Sequence, residues 1–124
     1  MAESLTVQLQ NILDEYSEEV KQAANDSIEK VAKQSAQKIR AGSPRRTGKY
    51  ARGWRVRREG GPGGIVTAIV HNSTNYQLTH LLERGHVIRN KKGTYGRVPG
   101  RPHIAPVEAW ANNELPLEIE RKLK

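Results

Sequence analysis

The 124-residue chain has no cysteine, no phenylalanine, a single methionine and no long apolar run. Without cysteine there is no disulfide, no thiolate nucleophile and no cysteine-ligated zinc, a composition suited to a reducing compartment. Without phenylalanine the core rests on Leu, Ile, Val and Ala, so the two Trp and four Tyr carry unusual weight. No stretch approaches the ~20 apolar residues needed to cross a bilayer. Met1-Ala2-Glu3-Ser4 lacks the basic and apolar regions of a secretory leader. A soluble intracellular protein with no membrane partner is expected, and 35% hydrophobic residues suffice for one modest core. A single domain over residues 1–124 follows.

Acidic residues are scarce where basic ones are dense. From Ser43 to Arg101 thirteen Lys or Arg stand against only Glu59 and Glu83, whereas Met1–Gly42 holds seven acids and five bases. The last segment, Pro102–Lys124, has four acids and three bases. The net charge of +8 is therefore concentrated mid-chain, as a contact with nucleic acid or an acidic protein requires. A solvated basic face that keeps the protein soluble is the plainer alternative.

Ser4 is placed to cap a helix over residues 1–42. Its apolar positions Leu5, Leu9, Ile12, Leu13, Tyr16, Val20, Ala24, Ile28, Val31 and Ile39 recur mostly at steps of three or four. Arg40, Gly42 and Pro44 end it. With roughly 37 helical residues after the Ser4 cap, the helix would be about 55 Å long, while a compact chain of this size has a radius of gyration of about 14 Å. Either it bends near Asn25-Asp26, or part of its apolar stripe lies against another subunit.

Ser43-Pro44-Arg45-Arg46-Thr47-Gly48-Lys49-Tyr50-Ala51-Arg52-Gly53-Trp54 reads as a basic turn with interleaved aromatics, suited to stacking on bases or to packing on a sheet. A core role is expected for Trp54. Trp54–Arg58 alternates apolar and basic residues as a strand, with Arg55 and Arg57 on one face and Trp54, Val56 and Arg58 on the other. Gly60–Gly64 is a flexible hairpin loop, and Ile65–His71 is the best strand in the chain. Asn72-Ser73-Thr74 matches a glycosylation acceptor but, without a secretory signal, reads as a turn and cap.

Tyr76–His86 is the one short run that joins an apolar helical stripe to a cluster of ionisable groups. Leu78, Leu81 and Leu82 define a buried face, His80 and Glu83 are helical neighbours, and Gly85 stops the helix. His86–Arg89 follows as a short strand. Asn90–Pro102 then reads as a long basic loop, carrying Lys91, Lys92, Arg97 and Arg101. His103-Ile104 pairs briefly with the sheet. Ala105-Pro106 opens a C-terminal helix whose apolar side is Val107, Trp110, Ala111 and Leu115. Pro116 interrupts it, leaving 116–124 as a tail or kinked extension.

The cluster His80, Glu83, His86 and His103 invites a metal-dependent hydrolase. His-x-x-Glu-x-x-His does not have the spacing of a zinc-protease helix, and no serine sits in a nucleophile elbow. No second carboxylate lies near Glu83 in sequence. These groups are instead expected to bond loop backbone and to pair with Arg84 or Arg89, so that His80, Glu83, Gly85, His86 and His103 fix a turn. No enzymatic activity, metal or cofactor is expected.

Four stretches in order resemble the minor tail-component family of long-tailed bacteriophages. They are Ser43–Trp54, Val70-His71-Asn72 with Asn75-Tyr76, Leu78–His86, and Gly100-Arg101-Pro102-His103-Ile104-Ala105-Pro106, preceded by an N-terminal helix. The resemblance spans most of the chain up to Trp110 and leaves out Gly60–Gly64 and the residues after Leu115. It implies an α+β fold, a small antiparallel sheet with a long N-terminal and a shorter C-terminal helix packed on it. It also implies a structural virion protein of the neck that joins or completes the tail as a ring of six or twelve copies, assembled in the host cytoplasm. The implied partners are the head-closure or adaptor protein and the tail terminator. Arg45, Arg46, Lys49, Arg52, Lys91, Lys92, Arg97 and Arg101 are the expected contacts, either with phage DNA in the channel or with acidic neighbours. The competing expectation is a nucleic-acid-binding module that uses Arg45, Arg46, Lys49, Arg52, Tyr50 and the Lys91-Lys92 loop on phosphates.

Overall fold

A computed structural model describes residues 4–8, 17–44, 48–60, 64–90 and 93–123. It is α+β, in the order β1 (Leu5–Val7), α1 (Glu18–Gly42), α2 (Lys49–Arg52), β2 (Trp54–Glu59) and β3 (Thr67–Asn72). A 3-10 turn (Tyr76–Leu78) and α3 (Thr79–Arg84) lead into the hairpin β4 (Gly85–Asn90) and β5 (Gly93–Pro99), and α4 (Ala105–Leu123) closes the chain. β3 is the central strand of an antiparallel sheet in the order β1-β3-β2, and β4-β5 forms a separate two-stranded ribbon.

The register explains the two-layer packing. Leu5 and Val56 flank Val70, Val7 and Arg58 flank Ala68, and Trp54 lies opposite Asn72. Alternation therefore sends Leu5, Val7, Trp54, Ala68, Val70 and Asn72 to the helix side. Arg55, Arg57 and Thr6 occupy the outer face, as the strand pattern predicts for the two arginines. The inner face is covered by α1, whose buried residues are largely small: Ala23, Ala24, Ser27, Ala32, Ser35 and Ala36 let the sheet and α4 approach closely. Ile28, Val31 and Ile39 fill the space between, each fully buried and contributing about 1.5–3 kcal/mol.

α4 runs antiparallel to α1. Lys38 Nζ lies 4.5 Å from the centre of the Trp110 ring, and Lys30 Nζ is 2.9 Å from Glu118 Oε1.

Several expectations are corrected. The helix begins at Glu18 and not at Ser4: Ser17 caps it through its hydroxyl on the Val20 amide, at 3.3 Å. Leu5 and Val7 belong to a strand because β3 offers an unpaired edge and a buried face; residues 9–16 lie outside the described set. At 25 residues α1 is roughly 37 Å long and continuous through Asn25. Asn25 bonds a neighbouring loop, donating to the Gly64 carbonyl and accepting from the Val66 amide, both at 2.9 Å. The expected basic loop contains β5, paired with β4 through a bulge between Val87 and Arg89. His103-Ile104 does not join the sheet but precedes α4. α4 continues through Pro116, with Leu115 and Glu118 both buried, so this stretch is not a free tail.

Candidate functional site

Glu83, on α3, is 5% exposed and aims its carboxylate at the start of α4. Oε1 accepts the amides of His103 (2.7 Å) and Ile104 (2.9 Å), and Oε2 accepts that of Ala105 (3.0 Å). The first amides of a helix have no partner within the helix, and its dipole favours a negative charge there. Glu83 thus caps α4 from across the fold. Burial by itself would raise its pKa; the three amides and His103 outweigh that and hold it below the ordinary carboxylate range. Main-chain bonds take the place of the expected pairing with Arg84, and the side chain of Arg89 lies outside the described set. A side-chain ion pair at the surface yields little, whereas unsatisfied buried amides are costly.

His103 extends the linkage. Its Nδ1 is 2.7 Å from the Arg101 carbonyl and 3.0 Å from Glu83 Oε1, both acceptors, so Nδ1 carries the proton. In the neutral ring Nε2 is then an acceptor, and the Tyr50 hydroxyl donates to it at 2.7 Å. Burial is the main influence that pushes the Tyr50 phenol up to about 12; the negative Glu83 adds to it, and the Thr79 hydroxyl acts against it. The rings of Tyr50, Trp54 and His103 meet edge-on at 5.5–6.2 Å between centres.

Around this chain lie further polar joints. Trp54 Nε1 donates to Ser43 Oγ at 3.0 Å, and that hydroxyl donates to the Ile39 carbonyl at the end of α1. Asn72 donates to the Tyr50 carbonyl at 2.8 Å, while its Oδ1 accepts the amides of Thr74 and Asn75. The turn expected at Asn72-Ser73-Thr74 is therefore built by the Asn72 side chain. Trp54 is wholly buried, in the core role expected of it.

The remaining expected residues divide. Gly85 sits at the exit of α3: its φ is +84°, and a Cβ there would lie 2.4 Å from the Val98 carbonyl oxygen and 2.6 Å from the Gly100 amide. The chain enters and leaves the hairpin through this crossing, which the Arg101 amide seals on the Leu82 carbonyl at 2.8 Å. His80 is exposed and its side chain bonds no other described residue, so it stands outside the linkage. His86 is half-buried, its Nδ1 without a partner among the described residues. Contrary to the leucine stripe, the buried face of α3 is Thr79 and Glu83; Leu78 is 39% exposed and Leu81 and Leu82 half-buried. Among the described residues no three His, Asp or Glu are grouped to hold a metal.

Of the expected cationic contacts, Lys49 and Arg52 are exposed on α2, and Arg97 and Arg101 are exposed on and just after β5. Arg45, Arg46, Lys91 and Lys92 lie outside the described residues. A cleft of about 300 Å³ between α2 and α3 is lined mainly by Pro44, Tyr50, Asn75, Leu78 and Leu82. Sequence reasoning missed that Tyr50, Asn72 and Ser43 are one buried assembly with Glu83 and His103. The available signal was polar residues recurring beside Gly and Pro turns.

The geometry makes the four stretches singled out in the sequence one structural unit. Their polar residues, Ser43, Tyr50, Asn72, Glu83 and His103, hold the ends of α1, β3, α3 and α4 together. A family model described as "Bacteriophage HK97-gp10, putative tail-component" matches residues 8–85, which spans α1, α2, β2, β3 and α3. No curated protein and no solved structure matches. With well over half of its length matched, the chain belongs to the HK97-gp10-like family of bacteriophage tail components.

Proposed function

We propose that this tail component is a non-catalytic neck protein, which assembles into a ring at the head–tail junction and joins or completes the tail. The observation that carries the reading is the commitment of the ionisable cluster to the fold. Glu83 and His103 cap a helix and bind a buried phenol, so they hold an assembly surface in place. The family match supports the setting. Copies of the chain, the head-closure or adaptor protein and the tail terminator are the partners, and the ring has six or twelve copies. The protein acts in the virion and assembles in the host cytoplasm.

Sedimentation of the purified protein, alone and with isolated tails or neck proteins, tests this. A discrete closed oligomer that forms with rising concentration or on adding partners is expected. A strict monomer under every condition contradicts it.

A second reading, contact with DNA, draws on the exposed Lys49, Arg52, Arg55, Arg57, Arg97 and Arg101. It requires affinity that falls steeply with salt as counterions are released. Binding with no salt slope counts against it.

A further inference from the structure

The β4–β5 hairpin stands apart from the sheet. Among the described elements it packs appreciably only on α3. A two-stranded ribbon is marginally stable alone, and both of its edges are open for pairing. Val87 and Val98 are 36% and 38% exposed, on opposite faces of the ribbon because His86 pairs with Val98 and Val87 with Arg97.

Its charge is one-sided. Residues 84–101 contain six Lys or Arg and no acid. Arg84, Arg97 and Arg101 are exposed and reach no carboxylate among the described residues; Arg97 instead bonds the Arg84 carbonyl at 2.7 Å. Residues 1–29 are the converse, seven acids against Lys21 alone.

The described acids at the start of α1, Glu18, Glu19 and Asp26, lie at the opposite end of that helix from the hairpin. The hairpin springs from the Gly85–Gly100 crossing beside His103, which adjoins Gly42 at the end of α1. The acidic Glu18, Glu19 and Asp26 lie at the far end of that roughly 37 Å helix, where antiparallel α4 ends with the exposed Leu123. These described carboxylates are therefore too far from Arg97 and Arg101 to meet them within one chain.

We infer that the hairpin is an arm which docks on a second copy of this chain, at the acidic N-terminal half of its α1. Arg97 and Arg101 face carboxylates there, and Val87, which pairs with Arg97 and shares its face, meets apolar surface beside the end of α4. The contact is heterologous, joining different surfaces of successive copies, and such contacts generate rings when the rotation closes. The inference rests on the ring reading above and gives the ring its polarity.

Charge reversal on the full-length chain tests it. Arg97→Glu with Arg101→Glu is expected to weaken self-assembly at least about tenfold, since like charges then face each other. Glu18→Lys with Glu19→Lys should do the same, and mixing the two variants should restore assembly. Circular dichroism and melting confirm that each variant is folded. The cysteine-free background allows a second arm: Glu19→Cys chains mixed with Arg97→Cys chains should form a disulfide dimer that neither forms alone. Assembly unchanged in both reversal variants, or lost without rescue on mixing, overturns the arm. Intact assembly with lost salt-dependent DNA binding assigns the hairpin to DNA instead. Failure of the wild-type chain to assemble under any condition sinks the ring reading itself, a result distinct from these.

Discussion

At the scale of single residues, the buried Glu83–His103–Tyr50 linkage sets the sharpest expectations. Replacing Glu83 by Gln leaves an amide group facing three main-chain donors, and a loss of about 2–3 kcal/mol in urea unfolding at neutral pH is expected. Because the folded state holds the Glu83 pKa below its ordinary value, the stability it contributes is present above pH ~4.3 and is lost as pH falls through the folded value. The stability gap between wild type and Glu83→Gln should therefore narrow progressively as pH falls below ~4.3. A constant gap would show that the carboxylate charge is not the source. Tyr50 titrates in the other direction. Its folded pKa of about 12 lies above the free value of ~10, so its contribution is complete below pH 10 and declines between pH 10 and 12. Tyr50→Phe should lose about 1–2 kcal/mol at pH 7, because His103 Nε2 is left buried and unbonded, and should show a shallower alkaline decline.

At the scale of elements, the chain divides into what local pattern encodes and what tertiary pairing decides. The two-residue alternation of β2, the β-branched run of β3 and the 3.6-residue period of α1 from Val20 onward were legible because each is a local periodicity. The start of α1 was not, since Leu5 and Leu9 fit the helical period although β3 recruits Leu5 into a strand. β5 was hidden by Gly93 and Gly96, which adopt φ of +135° and +115° in the ribbon and imitate a loop in sequence. In the candidate site, Glu83, Gly85 and His103 could be singled out as fixing a turn. Their partners could not, because the bonds run from α3 to α4 and from α2 to α4 across 20 or more positions. Pro116 misled for a related reason: burial of Leu115 and Glu118 carries α4 past it. Ending the chain after Glu114 should accordingly cost about 2 kcal/mol or more, from Leu115 burial and the Glu118–Lys30 pair. Calorimetry of the shortened chain checks this, and an unchanged melting temperature would return 115–124 to the status of a tail. Overfilling the small-residue face of α1 with Ala32→Leu should cost about 1–3 kcal/mol, read by the same method.

At the scale of the whole molecule, the fold has described acids at the start of α1, a basic arm at the opposite end of that helix and a rigid buried junction between its elements. That polarity suits a protein that acts by joining copies and neighbours. The outer face of the sheet carries Arg55 and Arg57, both exposed. The central claim, a structural role in joining or completing the tail, is tested most directly by electron microscopy of particles from phage lacking this protein. Normal filled heads beside unattached or malformed tails are the predicted result. Fully assembled virions indistinguishable from wild type would contradict it.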